Sequence, residues 1–288
     1  MQNSAAASPN AESIQFWNEI LVPKFDRFRG VFVTAGEAHS RGPLERAGLR
    51  PGMRALDVGC GYGETTLQIA RKVLPGGAVV GTDCCAAFLD VARADAETAG
   101  LDARFLEVDA QTHAFAPEFD LAFARFGTMF FASPKAAMRN IRKSLVHGGR
   151  LLMIVWRPLA DNPWMAIPKA IALKHLPPPP DDGPKCGPGP FSMAEPSVVE
   201  SILTGAGYAD VSFEQTDTIA RVGATLDEAI AFQLTIGPAG EIVREAGKLC
   251  EERRDQVVAE LREALAPYVR DDGVYMATSS WAVSATSP

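Results

Sequence analysis

The sequence predicts an α/β protein in which helices cover both faces of a mostly parallel β-sheet. Short apolar stretches alternate with amphipathic ones between residues 54 and 156, which is the pattern of consecutive strand–helix units. Two of these stretches, 119–126 and 149–156, are almost continuously apolar, as expected for strands that are buried on both faces.

The elements of this alternating region have recognisable ends. Proline followed by two glycines at 75–77 ends the first helix, Gly100 ends the second, and Ser133 can cap the third. We predict strands at 54–58, 78–82, 104–108, 119–126 and 149–156, and helices at 64–74, 86–99 and 133–145.

The flanking regions are predicted to be more helical and less regular. Residues 1–48 should form a helical segment after a polar start, and this segment could be a lid over the site or only a packing element. The proline-rich stretch 158–190 should be either a flexible surface loop or a wall of a pocket, with a short helix at 164–175. Further helices are predicted at 197–206, 226–236 and 241–265, and further strands at 210–216 and 274–285.

Composition narrows the class of protein. The 288 residues are 47% hydrophobic and 22% charged, enough for one large α/β domain with a cap. The net charge of −7 argues against a broad nucleic-acid surface. With no apolar stretch long enough to span a membrane and no leader peptide, we expect a cytoplasmic protein. The five cysteines include no CxxC pair, so we expect reduced thiols and no metal site.

The most informative stretch is DVGCGYG at 57–63, where the first strand meets the first helix. Glycines there let the backbone approach a ligand at the carboxyl edge of the sheet. A dinucleotide fingerprint would need a third glycine at the position of Glu64. Because Asp57 and Glu64 would repel a pyrophosphate, the loop favours S-adenosylmethionine, whose sulfonium and ammonium are positively charged.

Polar residues follow at the ends of the next strands. Asp83 lies about 20 residues after the glycines, where a carboxylate can bind ribose hydroxyls, although it could also only cap the next helix. Asp109 and Ala110 end the third strand, within reach of an adenine. Arg125 ends the fourth strand. Each of these residues is weak evidence for a cofactor site alone. Together they are stronger evidence, because they lie in order at the ends of successive strands.

These motifs resemble those of a known family. The motifs LDVGCGYG, GTD, EVDAQ, FDLAFARFGTMFF and LVHGGRLLMIVW are similar to those of the class I S-adenosylmethionine-dependent methyltransferases, in particular the ubiquinone/menaquinone-biosynthesis C-methyltransferase group. The resemblance covers roughly residues 49–155. The resemblance implies a Rossmann-like seven-stranded, mostly parallel sheet with an antiparallel last strand. It also implies one domain at 49–288 whose insertions at 157–195 and 224–268 form a cap on the substrate side.

The resemblance also implies roles for individual residues. Gly59 and Gly61 would line the methionine part of the cofactor, Asp57 would lie beneath the loop, and Arg125 beside the methionine end. The groups assigned to the ribose and adenine are Asp83, Cys84, Asp109 and Ala110. The adjacent pair Cys84–Cys85 departs from the bulkier apolar residues common in relatives.

The function expected is methyl transfer from S-adenosylmethionine to a small, fairly apolar molecule. The sequence does not identify the acceptor atom or the oligomeric state, and a homo-oligomer is possible. No catalytic residue is identified; His39 is the first histidine to test as a base, although a structural role is the simpler explanation for each of the four. Apolar side chains predicted to flank the substrate are Trp17, Met129, Phe130, Trp156 and Trp164. A nicotinamide-dependent oxidoreductase and a non-catalytic binding module are the alternatives.

Overall fold

The chain forms one mixed sheet with helices on both faces. The computed structural model describes residues 10–180 and 187–288. The strands are β1 (Arg54–Val58), β2 (Ala78–Asp83), β3 (Arg104–Glu107), β4 (Phe119–Arg125), β5 (Leu145–Trp156), β6 (Ala209–Gly223), β7 (Val269–Arg270) and β8 (Gly273–Thr286). The helices are α1 (Ala11–Phe16), α2 (Val22–Arg27), α3 (Arg29–Arg46), α4 (Glu64–Val73), α5 (Ala86–Ala99), α6 (Pro134–Lys143), α7 (Pro163–His175), α8 (Pro196–Ala206), α9 (Leu226–Gln233), α10 (Gly237–Ala246) and α11 (Lys248–Leu265).

The strand order confirms the predicted fold class. Seven strands form the path β3-β2-β1-β4-β5-β8-β6, and the two-residue β7 pairs with β8 beside it. β1 to β5 are parallel, whereas β8 runs antiparallel to both β5 and β6. Since parallel strands share their direction, the carboxyl ends of β1, β2, β3 and β4 meet at one edge of the sheet.

The core has a layer on each face of the sheet. On one face Leu44 of α3 and Ile69 of α4 pack in a cluster with Phe123 and Ile154. On the other face helices α6 and α8 contribute further fully buried side chains, including Ile141. Alternate side chains of β4 and β5 therefore pack into opposite layers of the core, which explains why both strands are apolar throughout.

Several predicted boundaries differ from the structure by a few residues, as at β5, which begins at 145 and not at 149, and three differences are larger. The helix expected at 241–265 is broken at Gly247, whose φ of 50° and ψ of −121° lie outside the helical region, so that α10 and α11 are separate. β6 continues to Gly223, well beyond the predicted end at 216. The N-terminal helical segment is divided into α1, a π-helical turn at Trp17–Leu21, α2 and α3.

The N-terminal segment and the late helices lie against the sheet in different ways. Helix α3 packs on β6, while α7, α9, α10 and α11 contact one another in a helical layer drawn from both predicted insertions. Residues 1–9 and 181–186, which include Cys186 and part of the proline-rich stretch, lie outside the described residues. Within the described ranges, no helix has both the length and the apolar character required to cross a bilayer.

Candidate functional site

The glycine loop lies between β1 and α4 at the carboxyl edge of the sheet. Gly59, Gly61 and Gly63 all take positive φ angles, of 67°, 53° and 82°, which side-chain-bearing residues rarely adopt. A Cβ atom at Gly59 would lie 3.2 Å from the Cα of Gly127 in the loop after β4. The glycines therefore allow both the turn and the close approach of two strand-end loops.

Asp57 is buried beneath this loop. Its Oδ2 accepts hydrogen bonds from the hydroxyls of Thr65 (2.7 Å) and Thr66 (2.6 Å), whereas its buried Oδ1 has no hydrogen-bond partner among the described residues. Burial raises the pKa of Asp57 to about 6, and the two threonine hydrogen bonds oppose that rise. The threonines were not predicted as site residues, although their place at the start of α4 is visible in the sequence.

A second, partly buried carboxylate pairs with the predicted arginine. An oxygen of Glu64 lies 3.3 Å from the guanidinium of Arg125, and its other oxygen is buried without a partner in the described part of the chain. Burial lowers the pKa of Arg125, while the neighbouring carboxylates raise it. A Cβ atom on Gly36 of α3 would lie 2.8 Å from Cζ of Arg125, so the N-terminal segment reaches the same cluster.

Asp83 connects the end of β2 to the glycine loop. Its Oδ2 accepts from the amide of Gly61 (2.9 Å), and its Oδ1 accepts from the amide of Cys85 (3.0 Å). Burial raises the pKa of this carboxyl, whereas the amide hydrogen bonds lower it. Cys84 follows, and its carbonyl accepts a hydrogen bond from the side chain of Asn18. These hydrogen bonds fix the carboxylate between the glycine loop and the turn after β2.

Asp109 is bound by a residue from the start of the chain. The Asn10 side-chain nitrogen donates to both carboxylate oxygens, at 2.9 and 3.0 Å, and the Asn10 oxygen accepts from the amide of Ala132 at 2.9 Å. The amide of Gln111 also donates to Asp109, and Ala110 beside it is buried. Asn10 was missed because it belongs to a stretch that looks like a polar tail.

Other residues of the N-terminal segment contact the same edge. Asp26 of α2 accepts a hydrogen bond of 2.6 Å from the hydroxyl of Tyr62 in the glycine loop. Arg29 of α3 lies over the Tyr62 ring, 4.7 Å from its centroid, and its guanidinium is 2.6 Å from Asp95 of α5. The segment at 10–46 therefore contacts the loops after β1, β2, β3 and β4.

The five apolar residues predicted to flank the substrate fall into two aromatic groups and one core position. Trp17 contacts Phe130 edge to face, with ring centroids 5.1 Å apart. Trp156 lies next to Trp164, with centroids 5.3 Å apart. Met129 is fully buried in the main core cluster, where side-chain packing alone accounts for its position.

A strained residue joins the second aromatic group to the site. Phe126 follows β4 directly and has a positive φ of 59°, which is unfavourable for a residue with a Cβ atom. Its ring stacks on Trp156 with the centroids 3.8 Å apart. The sequence motif RFG marks the position, but nothing in the sequence predicts this conformation.

His39 occupies a fully satisfied buried position. Its two ring nitrogens lie 2.8 Å from the hydroxyls of Thr278 and Ser280 on β8, and its ring packs edge to face against Trp156. Burial, together with the charge of Arg125, lowers the pKa of His39 to about 4. These contacts favour a structural role, because neither nitrogen is available to accept a proton from a substrate.

Residues 55–149, from β1 into β5, match the family model for the methyltransferase domain. The demethylmenaquinone methyltransferase of Thermus thermophilus is 37% identical over 107 residues, which are 36% of this chain and 48% of that protein. The 2-phytyl-1,4-naphtoquinone methyltransferase of Synechocystis is 30% identical over 159 residues, which are 54% of this chain and 66% of that protein. The chain therefore spans about half to two thirds of the length of these relatives.

A solved structure shows the same fold over nearly the whole chain. It is that of Haemonchus contortus phosphoethanolamine N-methyltransferase 2 in complex with phosphomonomethylethanolamine and S-adenosylhomocysteine. It superposes with a TM-score of 0.59 and 17% identity, over 96% of this chain and 60% of that protein. At this identity the likeness concerns the fold.

Proposed function

We propose that this chain, whose residues 55–149 match the family model for the methyltransferase domain, is a class I S-adenosylmethionine-dependent methyltransferase that methylates a small and largely apolar acceptor. The observation that carries the proposal is the group of acidic residues around the glycine loop at the carboxyl edge of the sheet, which we call the notch. Asp57, Glu64 and Asp83 surround the glycine loop, and Glu64 is paired with Arg125. Such a notch attracts a cationic ligand and repels a pyrophosphate.

The buried acceptors of the notch fit the proposed cofactor. Asp57 Oδ1 and Glu64 Oε1 have no hydrogen-bond partner among the described residues, and a buried acceptor without a donor typically costs about 1–3 kcal/mol. An amino-acid ammonium carries three donors and a positive charge, which is the chemistry that such acceptors bind. A nicotinamide dinucleotide would instead bring two phosphates to this position.

The remaining site residues have complementary roles. Gly59 and Gly61 would line the amino-acid end, Asp83 would accept the ribose hydroxyls, and Cys84, Asp109 and Ala110 would enclose the adenine. S-adenosylmethionine, when bound, supplies a methyl group on a positively charged sulfur. The protein contributes alignment of the acceptor with that methyl, which is worth up to about 7–11 kcal/mol in favourable systems.

We further propose that residues 10–46 act as the lid and that the helical layer of α7, α9, α10 and α11 acts as the cap. Phe28 of the N-terminal segment contacts Phe232 of α9, with ring centroids 5.3 Å apart, and Arg244 of α10 lies over the ring of Phe16. The proposed lid and cap therefore contact each other. Their closure would exclude water from the reacting groups.

The acceptor class follows from the aromatic groups near the strand ends. Trp17 and Phe130 are partly exposed, and their rings can stack on a flat apolar molecule. Trp156 and Trp164 are buried and stack on Phe126 and Phe232, so they support the site from the core. One relative is named for a menaquinone precursor and the other for a substituted naphthoquinone. We therefore propose a ring-bearing apolar acceptor for this chain.

Calorimetry with three ligands tests the cofactor. We expect S-adenosylmethionine and S-adenosylhomocysteine to bind with one site per chain, and NADPH not to bind. Tight NADPH binding without binding of the sulfonium compound would contradict the proposal and favour an oxidoreductase. Cofactor binding with no methyl transfer to any acceptor would favour a non-catalytic module.

A matched pair of variants tests the acceptor class. In a panel of quinones, phenols, amines and acidic metabolites, we expect methylation of the apolar ring compounds. Trp17→Ala should raise their KM by about tenfold through lost apolar contact, with unchanged S-adenosylhomocysteine affinity. Ile219→Ala, at an exposed position of β6, should leave KM unchanged. Methylation restricted to polar acceptors would refute the apolar assignment.

A further inference from the structure

Two adjacent cysteines lie in the turn between β2 and α5, directly after Asp83. The side-chain sulfur atoms of Cys84 and Cys85 are 3.9 Å apart, so they point to the same side of the chain. Both are free thiols; Cys85 is buried and Cys84 is partly exposed. Binding of an adenine or a ribose gives no reason for a second thiol at this turn.

Asp83 adds an oxygen ligand to the two sulfurs. One carboxylate oxygen and the two sulfur atoms all lie within 4.8 Å of one another. The carboxylate accepts hydrogen bonds from the amides of Gly61, Cys84 and Cys85 and from the Cys85 thiol. An ion that displaces the thiol proton would therefore bind in place of the Cys85–Asp83 hydrogen bond. Within the described residues, this is the group of three potential metal ligands that the fold brings together.

A disulfide between these cysteines is unfavourable. The Cα atoms of neighbouring residues are about 3.8 Å apart across a trans peptide, which is shorter than the roughly 4.4–6.8 Å usual for disulfides. The pair is therefore suited to remain as two thiols that share a ligand.

We propose that Asp83, Cys84 and Cys85 form a binding site for a thiolate-preferring divalent cation of the Zn²⁺ class. A tetrahedral ion with metal–sulfur bonds of about 2.3 Å requires sulfurs about 3.8 Å apart, and the observed separation is 3.9 Å. Three protein ligands leave the fourth position for water or another ligand. The partly exposed Cys84 gives the ion access from solvent.

This site has a consequence for the cofactor, which rests on the proposed function. The carboxylate that would bind the ion is also the one that would bind the ribose, so ion and cofactor compete for Asp83. Occupancy by the ion would then lower the affinity for the cofactor, and reciprocally the cofactor would lower the affinity for the ion.

Titration of the cofactor-free protein with Co²⁺ alone tests the site, because cobalt–thiolate bonds give visible and near-ultraviolet absorption bands. We expect one Co²⁺ per chain, with thiolate charge-transfer bands that added Zn²⁺ abolishes. Cys84→Ser and Cys85→Ser should each weaken Co²⁺ binding at least tenfold and remove part of the charge-transfer intensity. Cys250→Ser, in α11, is the matched control and should behave as the unchanged protein. Thermal unfolding without metal checks that each variant is folded.

Two results would overturn the proposal. One is Co²⁺ binding without charge-transfer bands, and the other is equal binding in the Cys84→Ser/Cys85→Ser double variant. Saturating S-adenosylhomocysteine should reduce the apparent Co²⁺ affinity at least tenfold. If S-adenosylhomocysteine binds but does not compete, the shared role of Asp83 is wrong. If S-adenosylhomocysteine fails to bind while Co²⁺ binding persists, the proposed function fails and the ion site stands.

Discussion

Asn10 binds the carboxylate of Asp109, to which we also assign the adenine of the proposed cofactor. Its side-chain amide donates to both oxygens of Asp109 and accepts from the amide of Ala132. The amino-bearing edge of an adenine offers the same combination of one donor group beside one acceptor. If Asp109 binds the adenine as proposed, the adenine must displace Asn10 from Asp109 when the cofactor binds, and Asn10→Ala should remove this competition.

The size of the effect follows from the contacts that are exchanged. A hydrogen bond to a charged group contributes about 1.5–3 kcal/mol, and the lower value applies because Asp109 also accepts from Gln111. A change of about 1.4 kcal/mol corresponds to tenfold in affinity. We therefore expect Asn10→Ala to bind S-adenosylhomocysteine roughly tenfold more tightly.

Calorimetry on the unchanged protein and two variants distinguishes this mechanism from lid closure. Asn18→Ala is the control, because the exposed Asn18 side chain contacts the chain through the carbonyl oxygens of Ile14 and Cys84 and leaves Asp109 untouched. It should change the affinity by less than about threefold. Weaker binding by Asn10→Ala would refute the competition and show that Asn10 holds the lid over the bound cofactor.

Three further predictions concern buried groups. Asp83→Ala should weaken S-adenosylhomocysteine binding at least tenfold in calorimetry while Asp90→Ala, on the exposed face of α5, does not; equal affinities would contradict the ribose role. Burial raises the pKa of Asp57 to about 6, so if the ionised form binds the ammonium, affinity should fall up to roughly tenfold from pH 7 to pH 5, whereas Asp57→Asn should show a flat profile. The pKa of His39 is lowered to about 4 in the folded state from about 6.5 in the unfolded chain, so its neutral form contributes stability that is complete above pH 6.5 and is lost as pH falls toward 4. Over that range urea denaturation should show a loss of about 3 kcal/mol that is absent in His39→Gln; identical pH profiles would contradict this assignment.

The parts of the site that the sequence predicts are formed by residues of the same or the next strand–loop unit. The glycine loop, Asp57 and Asp83 lie at strand ends whose positions follow from the alternation of strands and helices. The positive φ of Gly59 is a property of the tight turn itself. Asp83 is only 22 residues from its hydrogen-bond partner Gly61, in the adjacent strand–loop unit. Hydrophobic periodicity and glycine placement are sufficient to bring such groups together.

Contacts between distant segments escaped the sequence analysis. Asn10 is 99 residues from Asp109. Because Asn10 is one polar residue among many in its stretch, no hydrophobic periodicity indicates its contact. The hydroxyls that bond His39 come from β8, 239 and 241 residues away, so its lack of a free nitrogen could not be inferred. The break at Gly247 was also missed, because the charge pattern on both sides of it continues to favour a helix.

The contacts of the N-terminal segment have a common consequence for regulation of the site. Asn10 binds Asp109, Asn18 binds the carbonyl of Cys84, and Asp26 binds Tyr62, so three lid residues engage three different cofactor-motif loops. A ligand that changes any of these loops must therefore change the free energy of lid closure, and lid position must in turn change ligand affinity.

The coupling differs between the two ends of the site. Because the lid touches Asp109 at the same oxygens that an adenine would use, that coupling is competitive there. At Tyr62 the lid contacts the ring and hydroxyl of a residue to which we assign no cofactor contact, so lid and cofactor should be able to bind together at that loop. The adenine end of the site should consequently open before cofactor enters, while the glycine-loop end remains closed.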